Sequence, residues 1–152
     1  MSSQIANMLD GLELFSDFSY AELEVIGGYL IFEEAKAGKV IFSEGEPGSF
    51  LVILVKGRIA IYKEADQGKQ LLSTEVKGRV IGEMALLDNE RRSATCIADS
   101  DCDLLVFTQT NLKRLSTDRP ATAYHFMFHL ARSLSRRLRR TSGILADFLG
   151  HA

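Results

Sequence analysis

The sequence lacks long hydrophobic runs and has few cysteines. Its most continuous apolar run, Phe50 to Val55, is far shorter than the roughly 20 residues that span a bilayer. The segment from Met1 to Asp10 lacks the basic start and apolar stretch of a secretory signal. Cys96 and Cys102 have no second pair at metal-binding spacing, so free thiols are favoured over the alternative, a single disulfide. These absences predict a cytoplasmic protein with no membrane partner.

The sequence also lacks a large excess of positive or negative charge. The formal net charge is −2, which gives no general attraction to nucleic acid or anionic lipid. Hydrophobic residues make up 46% and charged residues 25% of the 152 positions, which argues against disorder. No glycine- or serine-rich linker divides the chain. We therefore predict a single globular domain over residues 1–152.

The hydrophobic pattern changes period twice along this domain. A helical segment over about 1–35 contains a capping box at Ser19 and Glu22. Residues of about 109–152 are again helical, with a short helix at Asn111 to Leu115 and a longer one from Pro120. Between them, over about 36–108, short β-prone runs alternate with glycines. These predicted strands are Lys39–Phe42, Phe50–Val55, Arg58–Lys63, Gln70–Val76, Ser93–Ala98 and Asp103–Phe107.

This order predicts a mainly β fold with flanking helices, an antiparallel β-roll or jelly roll that ends in a long C-terminal helix. Gly57 separates two of the apolar runs and indicates a hairpin turn. In the last helix, apolar positions recur at steps of four and three residues, which is coiled-coil-like spacing. The helix either packs on its own barrel or also pairs with a second copy, and the spacing leaves both open. The positions are Leu134, Leu138, Thr141, Leu145 and Phe148.

The segment from Ile81 to Thr95 offers groups suited to a sugar phosphate. Gly82 permits close backbone approach, and the helical turn after it would present free N–H groups to an anion. Arg92 can supply a planar, charged fork to a phosphate, whereas Glu83, which only accepts hydrogen bonds, suits a sugar hydroxyl. The alternative is that Glu83 and Arg92 merely pair across a barrel rim. The residues by themselves leave both interpretations open.

This segment resembles the phosphate-binding cassette of the cyclic-nucleotide-binding domain family. The family pattern is Gly-Glu-hydrophobic-Ala-Leu, a short loop, then Arg-Ser/Ala-Ala-Thr. The likeness extends to Glu44–Gly48, which is similar to a strand-linking turn, and to Val55–Ile59, which is similar to the family's central hairpin. The matching cassette positions are Gly82, Glu83, Ala85, Leu86, Arg92, Ala94 and Thr95.

The resemblance implies a role for each matching position. Glu83 would accept from the ribose 2′-hydroxyl. Arg92 and Ser93, with backbone groups of Gly82 and Ala85, would hold the cyclic phosphate. The remaining positions that the resemblance assigns to the ligand are Met84 and Ala94 in the cassette and Ile61, Leu72 and Ser73 along the pocket.

The last helix resembles that of the bacterial catabolite activator, or cAMP receptor, group within this family. There a Thr-Ser pair meets the adenine amino group, with the serine contributed by the other subunit of a dimer. Thr141 and Ser142 occupy the matching places. That group continues into a DNA-reading helix-turn-helix, whereas this sequence ends at Ala152, so we expect no DNA partner.

Together these features predict a receptor for cAMP that needs no cofactor. It would act through an unidentified effector protein, through self-association as a homodimer along the C-terminal helix, or by buffering the ligand. The alternatives are a sensor of cGMP or another cyclic nucleotide, a protein-interaction domain that uses no nucleotide, and a DNA-binding regulator. No cluster of nucleophile, base and orienting group stands out, so we expect no enzymatic activity.

Two weaker signals in the sequence are better explained by structural roles than by ligand or metal binding. The basic run of Arg136, Arg137, Arg139 and Arg140 is typical of a solvated helix face, although it could touch phosphates or lipid. His125 and His129 are spaced to share a helix face, but no third ligand accompanies them, so we expect packing and no metal.

Overall fold

The computed structural model describes residues 2–150 and has eight antiparallel strands in two four-stranded sheets. One sheet has the strand order β1-β8-β3-β6 and the other β2-β7-β4-β5. The predicted jelly roll is therefore confirmed. The strands are β1 (Ile31–Ala35), β2 (Val40–Phe42), β3 (Phe50–Lys56), β4 (Ile59–Ala65), β5 (Gly68–Glu75), β6 (Val80–Ile81), β7 (Thr95–Ala98) and β8 (Cys102–Thr108).

Helices precede and follow the roll in sequence, and one short helix, α3, is inserted between β6 and β7. They are α1 (Ser2–Leu9), a 3-10 turn (Glu13–Phe15), α2 (Tyr20–Gly27), α3 (Glu83–Asp88), α4 (Gln109–Asp118) and α5 (Pro120–Gly150). The capping box predicted at α2 is present, because the side chains of Ser19 and Glu22 each accept from the other residue's backbone N–H. The predicted long helix begins at Pro120, as expected. None of the helices within residues 2–150 is long and apolar enough to cross a membrane.

The neighbouring strands β3 and β8 of the first sheet are buried on both faces, which explains the continuous apolar run in β3. Side chains on one face, including Leu51 and Ile53, pack with the N-terminal helices and the start of α5. Side chains on the other face, including Val52 and Leu54, pack between the two sheets. The jelly roll thus has an inner core and a second core beneath the helices. The second core fixes the start of α5, through Ala123, Phe126 and Leu130, against the roll.

Three predictions about the strands are wrong. Ile31–Ala35, which we placed in the N-terminal helical segment, forms the edge strand β1 against β8. The two-residue strand β6 was not predicted. Gly57 does not turn a hairpin, because β3 and β4 belong to different sheets; it forms a corner between them, with φ of 99°. The hairpin is instead β4–β5, closed by the pairing of Ala65 with Gly68.

Candidate ligand-binding site

A cavity of about 330 Å³ lies between the cassette, β4 and α5. The cassette runs from the end of β6 through α3 to the start of β7. The structure therefore brings residues from a continuous sequence segment together with one residue from a neighbouring strand. The predicted site residues that line the cavity are Ile61, Gly82, Glu83, Met84, Ala85, Arg92, Ser93 and Ala94.

Gly82 joins β6 to α3 in a conformation that favours glycine. Its φ is 83° and ψ is 12°, in the left-handed region. A Cβ atom at this position would lie 2.5 Å from Nη1 of Arg92 and 3.1 Å from Cε2 of Phe42. Glycine therefore allows both the turn and the close approach of the arginine. The first backbone N–H groups of α3 have no partner within the helix, and the turn at Gly82 sets their orientation.

Arg92 is buried without a carboxylate partner among residues 2–150. Its residue is only 3% exposed, and its guanidinium carbon lies 4.0 Å from the ring centroid of Phe42 and 4.7 Å from that of Phe50. Nη1 donates to the backbone oxygen of Gly82 at 2.9 Å and Nη2 to that of Phe50 at 2.6 Å. Nε is buried and has no partner in the described part of the chain. Three of the five N–H donors therefore remain available.

The electrostatics of this arginine favour an anionic ligand. Burial lowers the pKa of the Arg92 guanidinium, and the nearby charges of Glu46 and Glu83 oppose that shift without cancelling it. A guanidinium stays protonated in proteins, so the cost of burying its charge remains. An anion in the cavity would offset this cost and would accept the free donors.

Glu83 is also buried, at 3% exposure, but its partner is not Arg92. One carboxylate oxygen accepts from Nη1 of Arg137, on α5, at 3.0 Å. The alternative in which Glu83 and Arg92 pair across the rim is therefore wrong. The contact ties the long helix to the first residue of α3. The second carboxylate oxygen makes no hydrogen bond with another residue in the described range 2–150.

Four predicted site residues do not line this cavity. Leu72 and Ser73 lie on β5, with Leu72 58% exposed and Ser73 donating to Glu75. Thr141 and Ser142 lie farther along α5, where the helix has left the roll, and both are exposed. The hydroxyl of Thr141 donates to the backbone oxygen of Arg137, one turn earlier.

Other cavity residues were missed by the sequence analysis. Arg137 belongs to the basic run that we interpreted as a solvated face, yet it contacts a buried carboxylate. Glu75 and Phe42 line the cavity from β5 and β2. Of these three residues, only Arg137 carried a signal in the sequence, because it precedes Thr141 by one helical turn and so shares its face.

The cavity contains one thiol, and its environment does not activate it as a nucleophile. Burial raises the pKa of the Cys96 thiol, which lines the cavity, to about 12. That thiol stays protonated at neutral pH and is a poor nucleophile. Thr95 has a structural task, because its hydroxyl accepts from the backbone N–H of Glu44 at 2.9 Å and fixes the cassette to the turn after β2.

Comparisons with known proteins agree with this geometry. The cyclic nucleotide-binding domain family matches residues 32–119, more than half of the chain. A CRP-like cAMP-activated global transcriptional regulator of Mycobacterium tuberculosis is 31% identical over 113 residues, which are 74% of this chain and 49% of that protein. The cyclic AMP receptor protein of Thermus thermophilus is 30% identical over 132 residues, 86% of this chain and 59% of that protein.

A solved structure of a cyclic nucleotide-binding domain from Methylobacillus flagellatus superposes with a TM-score of 0.83 at 26% identity, covering 96% of this chain and 83% of that one. The chain spans about half the length of the curated relatives given above. The matched residues include the cassette through Thr95, so the similarity and the cavity concern the same part of the molecule. The chain belongs to the cyclic nucleotide-binding domain family.

Proposed function

We propose that this chain is a cAMP receptor, a regulatory module that carries no catalytic activity and signals through a partner protein or by self-association. The observation that carries the proposal is the buried Arg92, which lacks a carboxylate partner within residues 2–150 and lines a cavity beside the buried acceptor Glu83. A cyclic phosphate provides the anion, and its fused ribose provides the hydroxyl. The relatives described as cAMP-activated and as a cyclic AMP receptor support the choice of cAMP.

The ligand would be held from two sides. The free donors of Arg92, the hydroxyl of Ser93 and the first N–H groups of α3 would bind the phosphate. The carboxylate of Glu83 would accept from the ribose 2′-hydroxyl. Met84 is 60% exposed and stands at the entrance, where it can cover the ligand.

The contact between Arg137 and Glu83 connects the pocket to α5. A ribose hydroxyl that binds Glu83 changes the surroundings of the same carboxylate that Arg137 contacts. A ligand shifts a conformational equilibrium only by its difference in affinity for two states. We expect this pair to supply such a difference, because Glu83 belongs to the cassette and Arg137 to the helix that leaves the roll, while both line the cavity.

The distal part of α5 supports self-association. Leu138, Leu145 and Phe148 are 67%, 55% and 71% exposed, on the seam predicted from their spacing. A second copy of the helix would cover them. Thr141 and Ser142 would then lie at the junction of two subunits, where the family resemblance assigns them to the adenine amino group. This arrangement favours cAMP over cGMP, which has no amino group at that position.

The direct test is calorimetric titration of the chain with cAMP and cGMP, followed by the Arg92→Ala variant. We expect cAMP to bind more tightly than cGMP. Removing the buried cation should weaken cAMP binding by on the order of 3 kcal/mol, which is about a hundredfold.

Arg119→Ala is the matched control, because Arg119 is exposed after α4 and lines neither cavity described for this chain. Its affinity should equal that of the wild type, and both variants should keep the wild-type circular dichroism spectrum. Binding of cAMP by Arg92→Ala within a fewfold of wild type would refute the cassette assignment. An absence of any cyclic nucleotide binding by the wild type would favour the alternative, a protein-interaction domain of the same fold.

A further inference from the structure

A second cavity, of about 510 Å³, lies on the other side of Arg137 and is strongly basic. Its walls are the segment around the 3-10 turn, the connection between β5 and β6, and one face of α5. We call it the basic groove. Six of the eighteen Lys and Arg residues of the chain line it, although the net charge is −2. They are Lys77, Arg79, Arg132, Arg136, Arg137 and Arg140.

Two of these six cations have carboxylate partners. Arg79 is paired with Glu75 at 2.7 Å, and Arg137 with Glu83 at 3.0 Å. The other four, Lys77, Arg132, Arg136 and Arg140, make no ion pair within residues 2–150. The groove also has two carboxylates, on Glu13 and Asp17, of which the latter lies 3.7 Å from His129. Positive charge therefore remains in excess.

Two features of the groove are energetically unfavourable when no ligand is bound. Arg132, Arg136 and Arg140 follow one another at steps of four along α5, so their like charges repel on one helix face. Nε of Arg137 is buried without a hydrogen-bond partner in the described part of the chain, and this residue lines the groove as well as the first cavity. A bound anion would reduce the repulsion and supply acceptors.

We propose that the basic groove is a second ligand site, which binds a compact oligophosphate. Four unpaired cations match the charge of a short phosphate chain, and the volume is within the range of small-molecule pockets. Arginine forks suit phosphate oxygens. An extended polyanion such as nucleic acid fits less well. Its phosphates would be repelled by Glu13 and Asp17 in the groove and by the negative net charge of the chain. The ligand class is thus a linear chain of two or more phosphoryl groups.

The experiment is calorimetric titration with sodium tripolyphosphate at low ionic strength, without cyclic nucleotide. We expect saturable binding by the wild type that sodium sulfate at matched ionic strength does not abolish. Arg136→Glu/Arg140→Glu should lose about tenfold or more in affinity for tripolyphosphate, because two attractions become repulsions. Arg119→Glu/Arg139→Glu is the charge-matched control, since both residues are exposed and neither lines the groove. It should change the affinity by less than about threefold, because its charges lie outside the groove and a more distant charge acts more weakly on the ligand.

The proposal would be overturned by the absence of saturable tripolyphosphate binding, by complete competition from sulfate at matched ionic strength, or by an equal loss of affinity in Arg119→Glu/Arg139→Glu. The wild-type titration and the sulfate competition decide the matter even if the double variant does not fold. Arg92→Ala separates the two sites, because it should retain tripolyphosphate binding while losing cAMP. Loss of both ligands in Arg92→Ala, with the fold intact, would assign the oligophosphate to the first cavity and sink the second site.

Discussion

At the scale of single residues, Arg92 is positioned by groups that do not neutralise it. Two phenylalanine rings stack on its guanidinium, and two backbone oxygens fix its orientation. Cation–π and hydrogen-bonding contacts reduce the cost of burial, yet a buried charge is fully compensated only by an opposite charge. The phenylalanines, Phe42 and Phe50, come from β2 and from the start of β3. The site is thus organised before an anion arrives.

The carboxylate of Glu83 provides the next test at this scale. Glu83→Gln keeps the shape of the side chain but weakens the acceptor, so cAMP affinity should fall by roughly 1–2 kcal/mol. Titration of wild type and variant with cAMP and its 2′-deoxy analogue completes a double cycle. We expect the deoxy analogue to lose little further affinity in the variant, because the interaction is already damaged.

Glu75→Gln is the matched control for this cycle. Glu75 lines the same cavity but its carboxylate is paired with Arg79. That variant should retain the wild-type discrimination against the deoxy analogue. Full additivity of the losses from Glu83→Gln and from the missing hydroxyl would mean that the 2′-hydroxyl is bound elsewhere.

At the scale of secondary-structure elements, two histidines connect α5 to the N-terminal helices. Nδ1 of His125 lies 2.9 Å from a carboxylate oxygen of Glu22, and its ring stacks on Phe18 at 4.0 Å between centroids. His129 lies one turn later, 3.7 Å from a carboxylate oxygen of Asp17. The two histidines are thus packed residues, and their aromatic and polar contacts hold the start of α5 against the N-terminal segment.

This contact predicts a pH dependence of stability. Burial, followed by the charges of His125, Arg132 and Arg136, lowers the pKa of His129, and the exposed Asp17 opposes the shift only in part. The folded state therefore binds this proton less well than the unfolded state. The free energy of unfolding should be undiminished above about pH 6.5 and should fall as the pH drops towards the folded pKa.

This prediction is checked by measuring the free energy of unfolding in urea at pH 8 and pH 5.5 for the wild type and for His129→Gln, whose side chain cannot be protonated. The variant should lose less stability between the two pH values than the wild type does. The difference in the free energy of unfolding between the two proteins at pH 8 measures any packing defect that the substitution itself causes. A larger acid loss in the variant would mean that the protonated imidazole stabilises the fold through Asp17, contrary to the order of effects given above.

Elements encoded by contiguous residues could be predicted from the sequence, and elements that depend on distant pairing could not. The cassette is one segment, so its turn, helix and arginine were all recognisable. Arg137 is 54 residues from Glu83, and only the folded chain brings them together. Strand β1 has three exposed residues among five and directly follows a helix, so its register against β8 determines its structure. A glycine such as Gly57 marks a turn but does not tell which sheet the next strand joins.

At the scale of the whole molecule, α5 has two different environments. Its 31 residues extend for roughly 46 Å at the helical rise. The first third packs on the second core, whereas residues 141–150 are all exposed. Beyond Leu138, apolar side chains still recur at coiled-coil spacing although they contact no core. An exposed apolar stripe of this kind is typical of interaction surfaces, which supports the proposed self-association.

The corresponding prediction joins self-association to ligand binding. Leu138→Glu/Leu145→Glu places two charges on the proposed dimer seam, so light scattering should detect a shift from dimer to monomer. The affinity for cAMP should fall with it, because Ser142 of the second copy would no longer reach the base, and the preference over cGMP should narrow. Ala146→Glu is the control, since residue 146 is exposed and does not belong to the seam of Leu138, Thr141, Leu145 and Phe148, and it should leave both properties unchanged. A monomeric variant with unchanged affinity and selectivity would mean that Thr141 and Ser142 do not meet the base, and that the nucleotide is recognised from within one roll alone.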